Sequence, residues 1–208
     1  MLSFHLFVAT GTAALLAIAP AFGQAPARLR GAITAIDDGS LTVKERDGRT
    51  FTLKTGPYTA YAYVVPSSLD AIRVNDFVGS AVKGSQGSFV AVEIAIIPEN
   101  MRAGRISLYD WDPLPDPTVG HSSEMTATSM TNGVVSAEKV GAAGLTLMVT
   151  YDGGTKGFRI TVPPNAPIVR YVLSDRSAVA IGSPVMIKTN PGDRAGLVTV
   201  GKGVTPPM

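Results

Sequence analysis

The chain has 208 residues, enough for one large domain or two small ones, and it contains no cysteine, so disulfides are excluded as a source of stability. Its 18 Lys and Arg nearly balance its 16 Asp and Glu, and there is no basic block of the kind that marks a nucleic-acid-binding surface. Only 16 % of residues are charged, while Gly (22) and Pro (15) are frequent; this composition favours short strands and tight turns over amphipathic helices, so we expect an all-β protein.

The first predicted element is a secretory signal peptide at residues 1–23. An apolar run, Leu6–Ala19, is followed by a proline and by small residues that end at Gly23. We expect cleavage after Gly23, with Ala27 as the second choice, and hence a periplasmic or secreted bacterial protein. A retained membrane anchor is the alternative, because no Lys or Arg precedes the run. The run is, however, shorter than the ~20 residues that span a bilayer.

Two similar segments follow, about 100 residues apart. Each opens with a glycine and a short alternating strand, at Gly31 and at Gly133. Each then passes through a glycine-containing turn into a second strand and reverses at an Asp-Gly pair, Asp47-Gly48 or Asp152-Gly153. Asp-Gly between alternating strands predicts a β-hairpin, because both turn residues must tolerate positive φ. A fourth strand, a polar stretch and two further strands complete both copies, which indicates an internal duplication.

Five or six short strands in roughly 70 residues predict a small closed barrel, because closure removes exposed sheet edges, and the OB-fold is the common five-stranded solution. We therefore expect two small OB-like β-barrels in tandem, at 30–98 and 132–203, joined by a Pro-rich irregular insert at 99–131. An open β-sandwich is the main alternative. The polar stretch after the fourth strand is expected to hold at most one turn of helix, since no 3.6-residue period is sustained there.

The order of these signals resembles a known family, the exported bacterial OB-like domains of unknown function, which occur singly or in tandem. The residues that carry the resemblance are the opening Gly strands, the Asp-Gly hairpins, Ser67–Asp70, Val74–Gly79, Ser129–Gly133, Trp111, Asp112 and His121. It covers both repeats, implies the tandem OB-like fold and offers no catalytic residue to carry over. Some relatives are labelled as metal ABC transporter components, but this chain lacks the several spans that a permease needs.

The insert holds the densest set of candidate metal ligands. Prolines 113, 115 and 117 oppose helix formation and sheet pairing and favour an extended spacer. Against this plain interpretation, imidazole and carboxylate groups are ligands for divalent transition metals. The candidate ligands are Asp110, Asp112, Asp116, His121 and Glu124. Their spacing matches no known metal motif, so we expect no cofactor, with a bound divalent transition metal as the alternative.

Aromatic residues supply a candidate ligand-binding surface. Tyr61 and Tyr63 share a face if both lie on one strand, where they would form a stacking platform, with Tyr58 beside them and Tyr171 near the equivalent place in the second copy. The plain interpretation is that they cover half-buried strand surface. Trp111 either docks between the two barrels or waits for a ligand.

Catalysis has little support in the sequence. His121 is the only imidazole outside the leader, and no Gly-x-Ser-x-Gly elbow precedes a helix. We therefore expect a non-enzymatic binding or envelope scaffold protein whose partner is an envelope protein, a peptide or a glycan. Nucleic acid is not expected as a partner, and membrane contact is expected only if the signal segment is retained. A metal-handling accessory role and glycan or peptide recognition on the Tyr face are the alternatives.

Overall fold

The structure is a computed structural model, and it describes residues 24–102, 108–119, 124–141 and 144–206. The predicted signal peptide therefore lies outside the described residues. The strands are β1 (Arg28–Asp37), β2 (Ser40–Glu45), β3 (Thr50–Lys54), β4 (Ala60–Pro66), β5 (Phe77–Lys83), β6 (Phe89–Ile97), β7 (Leu108–Pro115), β8 (Met125–Gly141), β9 (Gly144–Tyr151), β10 (Lys156–Val162), β11 (Ile168–Ser174), β12 (Pro184–Asn190) and β13 (Arg194–Gly201). Single 3-10 turns occupy Leu69–Ala71, Glu99–Met101, Asp152–Gly154 and Arg176–Ala178.

The all-β prediction is confirmed. Two of the 3-10 turns, Leu69–Ala71 and Arg176–Ala178, lie in the polar stretches where at most one turn of helix was expected. Within the described residues no helix is long and apolar enough to cross a membrane.

Five strands from the middle of the sequence, β5, β6, β8, β9 and β10, close into a β-barrel, here called the central barrel. Its neighbours are antiparallel except at the closure, where β10 runs parallel to β6 with Ile160 opposite Phe89. Most of the interior is apolar, and Ile94 and Leu147 are fully buried there. Phe89 meets Phe158 edge to face, with ring centroids 5.6 Å apart. Such a core stabilises the barrel without any crosslink.

Strands from the two ends of the sequence, β1, β2, β3, β13 and β12, form a second ring of paired strands, here called the terminal ring. It closes through one parallel pair, Arg194 with Lys54, and a hydrogen bond of 2.8 Å from Lys54 N to Asp193 O. Leu53 and Ile187 lie fully buried in its core. The strand order of the terminal ring therefore matches that of the central barrel. Its closing strands share one residue pair, whereas those of the central barrel share two.

The structure does not confirm two barrels that each consist of one repeat, at 30–98 and 132–203. The terminal ring takes three strands from the first repeat and two from the second, and the central barrel takes three from the second and two from the first. The crossing segments are β4 and β11, which carry the chain from one ring to the other. They pair with each other, and β4 also pairs with β13 and β11 with β6, so one continuous sheet joins both rings.

The prediction of an irregular insert is wrong for Leu108–Pro115, because β7 pairs antiparallel with the first part of β8. Prolines are tolerated here for a physical reason. Pro113 lies in the bulge between Trp111 and Leu114, and Pro115 ends the strand. In the described part of the chain β7 pairs with β8 alone, so it is an edge strand in which a missing N–H need not break the ladder.

The glycines that open the two repeats both allow a neighbouring strand to approach closely. A Cβ on Gly31 would lie 2.1 Å from the carbonyl oxygen of Lys44, and one on Gly133 would lie 2.5 Å from that of Thr150. Both distances are impossible for a real side chain. Each glycine precedes a bulge, between Ile33 and Ala35 in β1 and at the equivalent place in β8, where the neighbouring strand comes close.

Candidate functional site

An ion cluster fastens the insert to the terminal ring. Strand β7 places Asp112 beside two arginines on β1: Arg28 donates to it through Nε (2.8 Å) and Nη2 (2.5 Å), and Arg30 through Nη1 (2.5 Å). These hydrogen bonds, that from Arg28 first, outweigh partial desolvation and lower the pKa of Asp112 to about 2. Asp112 is therefore an ionised anchor at neutral pH.

Trp111 packs on the body of the protein. The Arg28 guanidinium lies 4.0 Å from the centroid of its ring, and Tyr109 meets it edge to face at 5.9 Å. Trp111 also borders the apolar cluster between the rings that contains Met130 and Tyr171. These contacts agree with the interpretation that it docks between the two rings. A small cavity of about 60 Å³ remains beside it.

The structure does not bring the described metal candidates together. Asp116 accepts a hydrogen bond of 2.6 Å from Lys83 Nζ, and this contact contributes most to lowering the pKa of Asp116. Asp110 and Glu124 are exposed, and His121 lies outside the described residues. Among the residues that are described, no three His, Cys, Asp or Glu side chains form a group that could hold a metal ion. Asp112 is already paired with two arginines and Asp116 with a lysine, so a metal ion would have to displace these cations.

The four candidate tyrosines do not share one surface. Tyr61 and Tyr63 do lie on one face of β4, where they pack against the core of the terminal ring, and Lys202 Nζ is 3.6 Å from the Tyr63 ring centroid. Tyr171 pairs with Val64 and so lies on the opposite face. It is only 7 % exposed, and burial raises its pKa to about 12. Tyr58 is half exposed and separate, with the Arg194 guanidinium 5.6 Å from its ring centroid.

A larger site lies where the insert crosses between the rings. This inter-ring groove has a volume of about 790 Å³, and its walls come from β1, β2, β6, β7, β12, the start of β8 and the C-terminal tail. Its buried apolar residues are Val92, Leu114 and Val185. Five prolines add to the lining: Pro113, Pro115, Pro167, Pro184 and Pro206. The volume falls within the ~300–1,000 Å³ typical of ligand pockets.

The charges on the groove nearly balance, and one of its cations, Arg30, is already paired with Asp112. Arg30, Lys44 and Arg46 line it, against two acids, Glu45 and Glu93. Glu45 already accepts a hydrogen bond of 2.8 Å from Arg49, and partial burial raises its pKa. Within the described chain, Nε and Nη2 of Arg30 are buried without a hydrogen-bond partner. The cations that an acidic group in the groove would meet are Lys44 and Arg46, which are both exposed.

No local sequence pattern marks the ion cluster of Arg28, Arg30 and Asp112. Arg28 and Arg30 alternate with Leu29 just before Gly31, an ordinary pattern for a half-buried strand. Their partner Asp112 is 84 residues from Arg28 and 82 residues from Arg30 along the chain. Tertiary contacts alone reveal the cluster.

No family model matches the chain, and neither a curated protein nor a solved structure matches it. The resemblance to exported OB-like domains therefore stays a prediction.

Proposed function

We propose that this protein is a non-enzymatic binding module of the bacterial envelope that holds an acidic peptide segment of a partner protein in the inter-ring groove. The observation that carries the proposal is a groove of ligand size whose apolar and proline-rich walls are flanked by Arg30, Lys44 and Arg46. Export rests on the predicted signal peptide, and the OB-like character of both rings is part of the same proposal.

A peptide fits this lining better than a glycan. The described lining residues of the groove include no aromatic side chain, so the faces on which sugar rings would stack are missing there. Proline rings and Val, Leu and Met side chains instead offer apolar contact to peptide side chains. The exposed cations Lys44 and Arg46 favour Asp and Glu in the ligand.

Binding to an array of acidic, proline-containing ten-residue peptides tests the proposal, with affinities measured by fluorescence of Trp111, the only tryptophan. Lys44→Gln/Arg46→Gln should weaken binding roughly tenfold, as expected for the loss of two exposed ion pairs. Lys139→Gln/Arg159→Gln removes the same charge from exposed positions that do not line the groove and should bind as the unmodified chain does. Added salt should weaken binding of the parent protein.

Two results would reject the proposal. One is the absence of binding to any acidic peptide above the level of neutral peptides of the same length. The other is equal loss of affinity in the groove variant and in its charge-matched control.

A further inference from the structure

The two repeats contact each other through equivalent residues. In the terminal ring, Ile33 exchanges backbone hydrogen bonds with the turn Gly182-Ser183, at 2.8 and 3.0 Å. In the central barrel, Val135 exchanges the same two bonds with the turn Asn75-Asp76, at 2.8 and 2.9 Å. Gly182 (φ 84°) and Asn75 (φ 76°) even share a left-handed conformation. The first repeat therefore holds the second in the way that the second holds the first.

The crossing strands place a two-fold axis between the repeats. Tyr63 pairs with Val200, the penultimate residue of β13. Arg170 pairs with Ile96, the penultimate residue of β6. The residues that follow them, Val64 and Tyr171, are therefore equivalent, and they pair with each other in the antiparallel ladder of β4 and β11. Pairing of equivalent residues across antiparallel strands is the arrangement found at the axis of a symmetric dimer.

We propose that this inter-repeat surface fits a second copy of the chain, giving a strand-exchanged dimer in which the first repeat of each copy closes with the second repeat of the other. The same strand edges are offered in both arrangements, so the backbone pairing is conserved. The single chain and the dimer differ in the connection through 98–124, which sets the effective concentration of the second repeat around the first in a single chain. Domain exchange of this kind costs little because no new interface is needed.

The exchanged dimer would contain two composite grooves. Val92 of the first repeat and Val185 of the second line the same groove, so each groove of the dimer would draw on both copies. The proposal concerns the strand pairing alone and does not rest on what the groove binds.

A cysteine pair across β1 and β12 reports the exchange. Arg28 lies opposite Lys188, and the neighbouring pair is hydrogen bonded, with Thr189 N donating to Ala27 O at 3.0 Å. Arg28 and Lys188 therefore form a non-hydrogen-bonded pair, whose Cα atoms lie ~4.5 Å apart, within reach of a disulfide. The natural chain has no cysteine, so Arg28→Cys/Lys188→Cys forms this bond without competition.

The experiment refolds the full chain from denaturant at low and at high protein concentration, oxidises it and separates the products. Arg28→Cys/Lys188→Cys should give covalent dimers whose fraction rises several-fold over a tenfold increase in concentration. Thr42→Cys/Thr52→Cys is the matched control, because these hydroxyls lie 3.1 Å apart within one repeat. This control variant should form dimers to the same extent. Because its disulfide lies within one chain, these dimers should run as monomers on a denaturing gel.

Unmodified chains bearing two different tags provide a second measurement that needs no substitution. After joint refolding at high concentration, mixed-tag dimers should be recovered, and chains mixed without unfolding should remain apart. Three outcomes would each overturn the proposal: monomers at every concentration, dimers in which the Arg28→Cys/Lys188→Cys bond stays within one chain, and failure of that bond to form in a folded variant.

Discussion

The central barrel and the terminal ring share one strand order but differ in a layer of their interiors. In the terminal ring Leu29 lies opposite Ile187, and at the equivalent place in the central barrel Thr131 lies opposite Ser80. All four side chains are fully buried. Among the described residues the two hydroxyls have no hydrogen-bond partner. Unmet buried hydroxyls are costly, so in this one layer the central barrel carries a penalty that the terminal ring does not.

Aromatic packing compensates for that layer in the central barrel. Phe158 stacks on Tyr151 with centroids 5.1 Å apart and meets Phe89 edge to face. The described core of the terminal ring holds aliphatic residues instead, with the aromatic rings of Phe51, Tyr61 and Tyr63 only partly buried around it. A duplicated framework thus supports two different cores, because the backbone pairing is common to both and the side chains adjust.

The largest expected effect tests whether the two rings unfold together. Ile160→Ala in the central barrel and Ile187→Ala in the terminal ring each remove a fully buried side chain and should each cost about 2–5 kcal/mol. Because both rings share strands of both repeats, we expect a single unfolding transition that shifts in both variants, measured by circular dichroism in urea. The exposed Ile181→Ala should leave it unchanged. Two resolved transitions, each moved by only one variant, would show that the rings are independent.

The equivalent glycines should give the next largest effect. Gly31→Ala and Gly133→Ala force a methyl group against a backbone carbonyl and should cost about 1–3 kcal/mol, an overpacking penalty. Gly31→Ala should be the more harmful, since its Cβ would approach to 2.1 Å rather than 2.5 Å. Gly39→Ala is the control, because nothing lies within 4 Å of its Cβ. Thermal denaturation measures all three, and equal stability of the Gly31 and Gly39 variants would refute the close approach.

Making the central barrel resemble the terminal ring should stabilise it. Ser80→Ala/Thr131→Val replaces two unpartnered hydroxyls by apolar groups of similar shape and should raise the free energy of unfolding by about 1–2 kcal/mol. The converse change, Leu29→Thr/Ile187→Ser, should lower it. Urea titration of both double variants decides the matter. A loss of stability in Ser80→Ala/Thr131→Val would mean that the hydroxyls are satisfied in solution.

The smallest expected effect concerns the insert that bridges the rings. Asp112→Asn weakens its hydrogen bonds to Arg28 and Arg30 and should cost about 1 kcal/mol at neutral pH, because the cluster is partly exposed. Since the folded pKa is lowered to about 2, the contribution of Asp112 is fully present above the ordinary pKa of 3.8 and is lost as pH falls toward 2. The parent chain should therefore lose this increment over that window, and Asp112→Asn should not. Trp111 fluorescence follows the change, and identical acid profiles would contradict the assignment.

Local features of the fold were predictable because they depend on neighbouring residues. The Asp152-Gly153 turn has positive φ at both positions, as an Asp-Gly hairpin requires, whereas in the first repeat Gly48 alone does. Leu41 and Val43 are buried on alternating positions of β2, as their period indicated. The pairing of β7 was not predictable from its prolines, because an edge position and a bulge, both tertiary features, make them harmless.

The candidate site was less predictable than the fold. Tyr61 and Tyr63 do share a face, since this follows from the period of a strand, whereas the face on which Tyr171 lies relative to them depends on the register between β4 and β11. The groove and its arginines belong to segments far apart in the chain, so no local pattern marks them.

By itself the sequence determined most of the strands, their turns and the similarity of its two halves, because alternation of apolar residues and the φ angles that a turn demands are set within a few residues. Only the tertiary structure decided which repeat completes which ring. The two repeats offer nearly the same edges, so pairing within a repeat and pairing between repeats satisfy the same local rules. The direction taken by β4 and β11, and the packing that they make with each other, select pairing between the repeats and with it the groove between the rings.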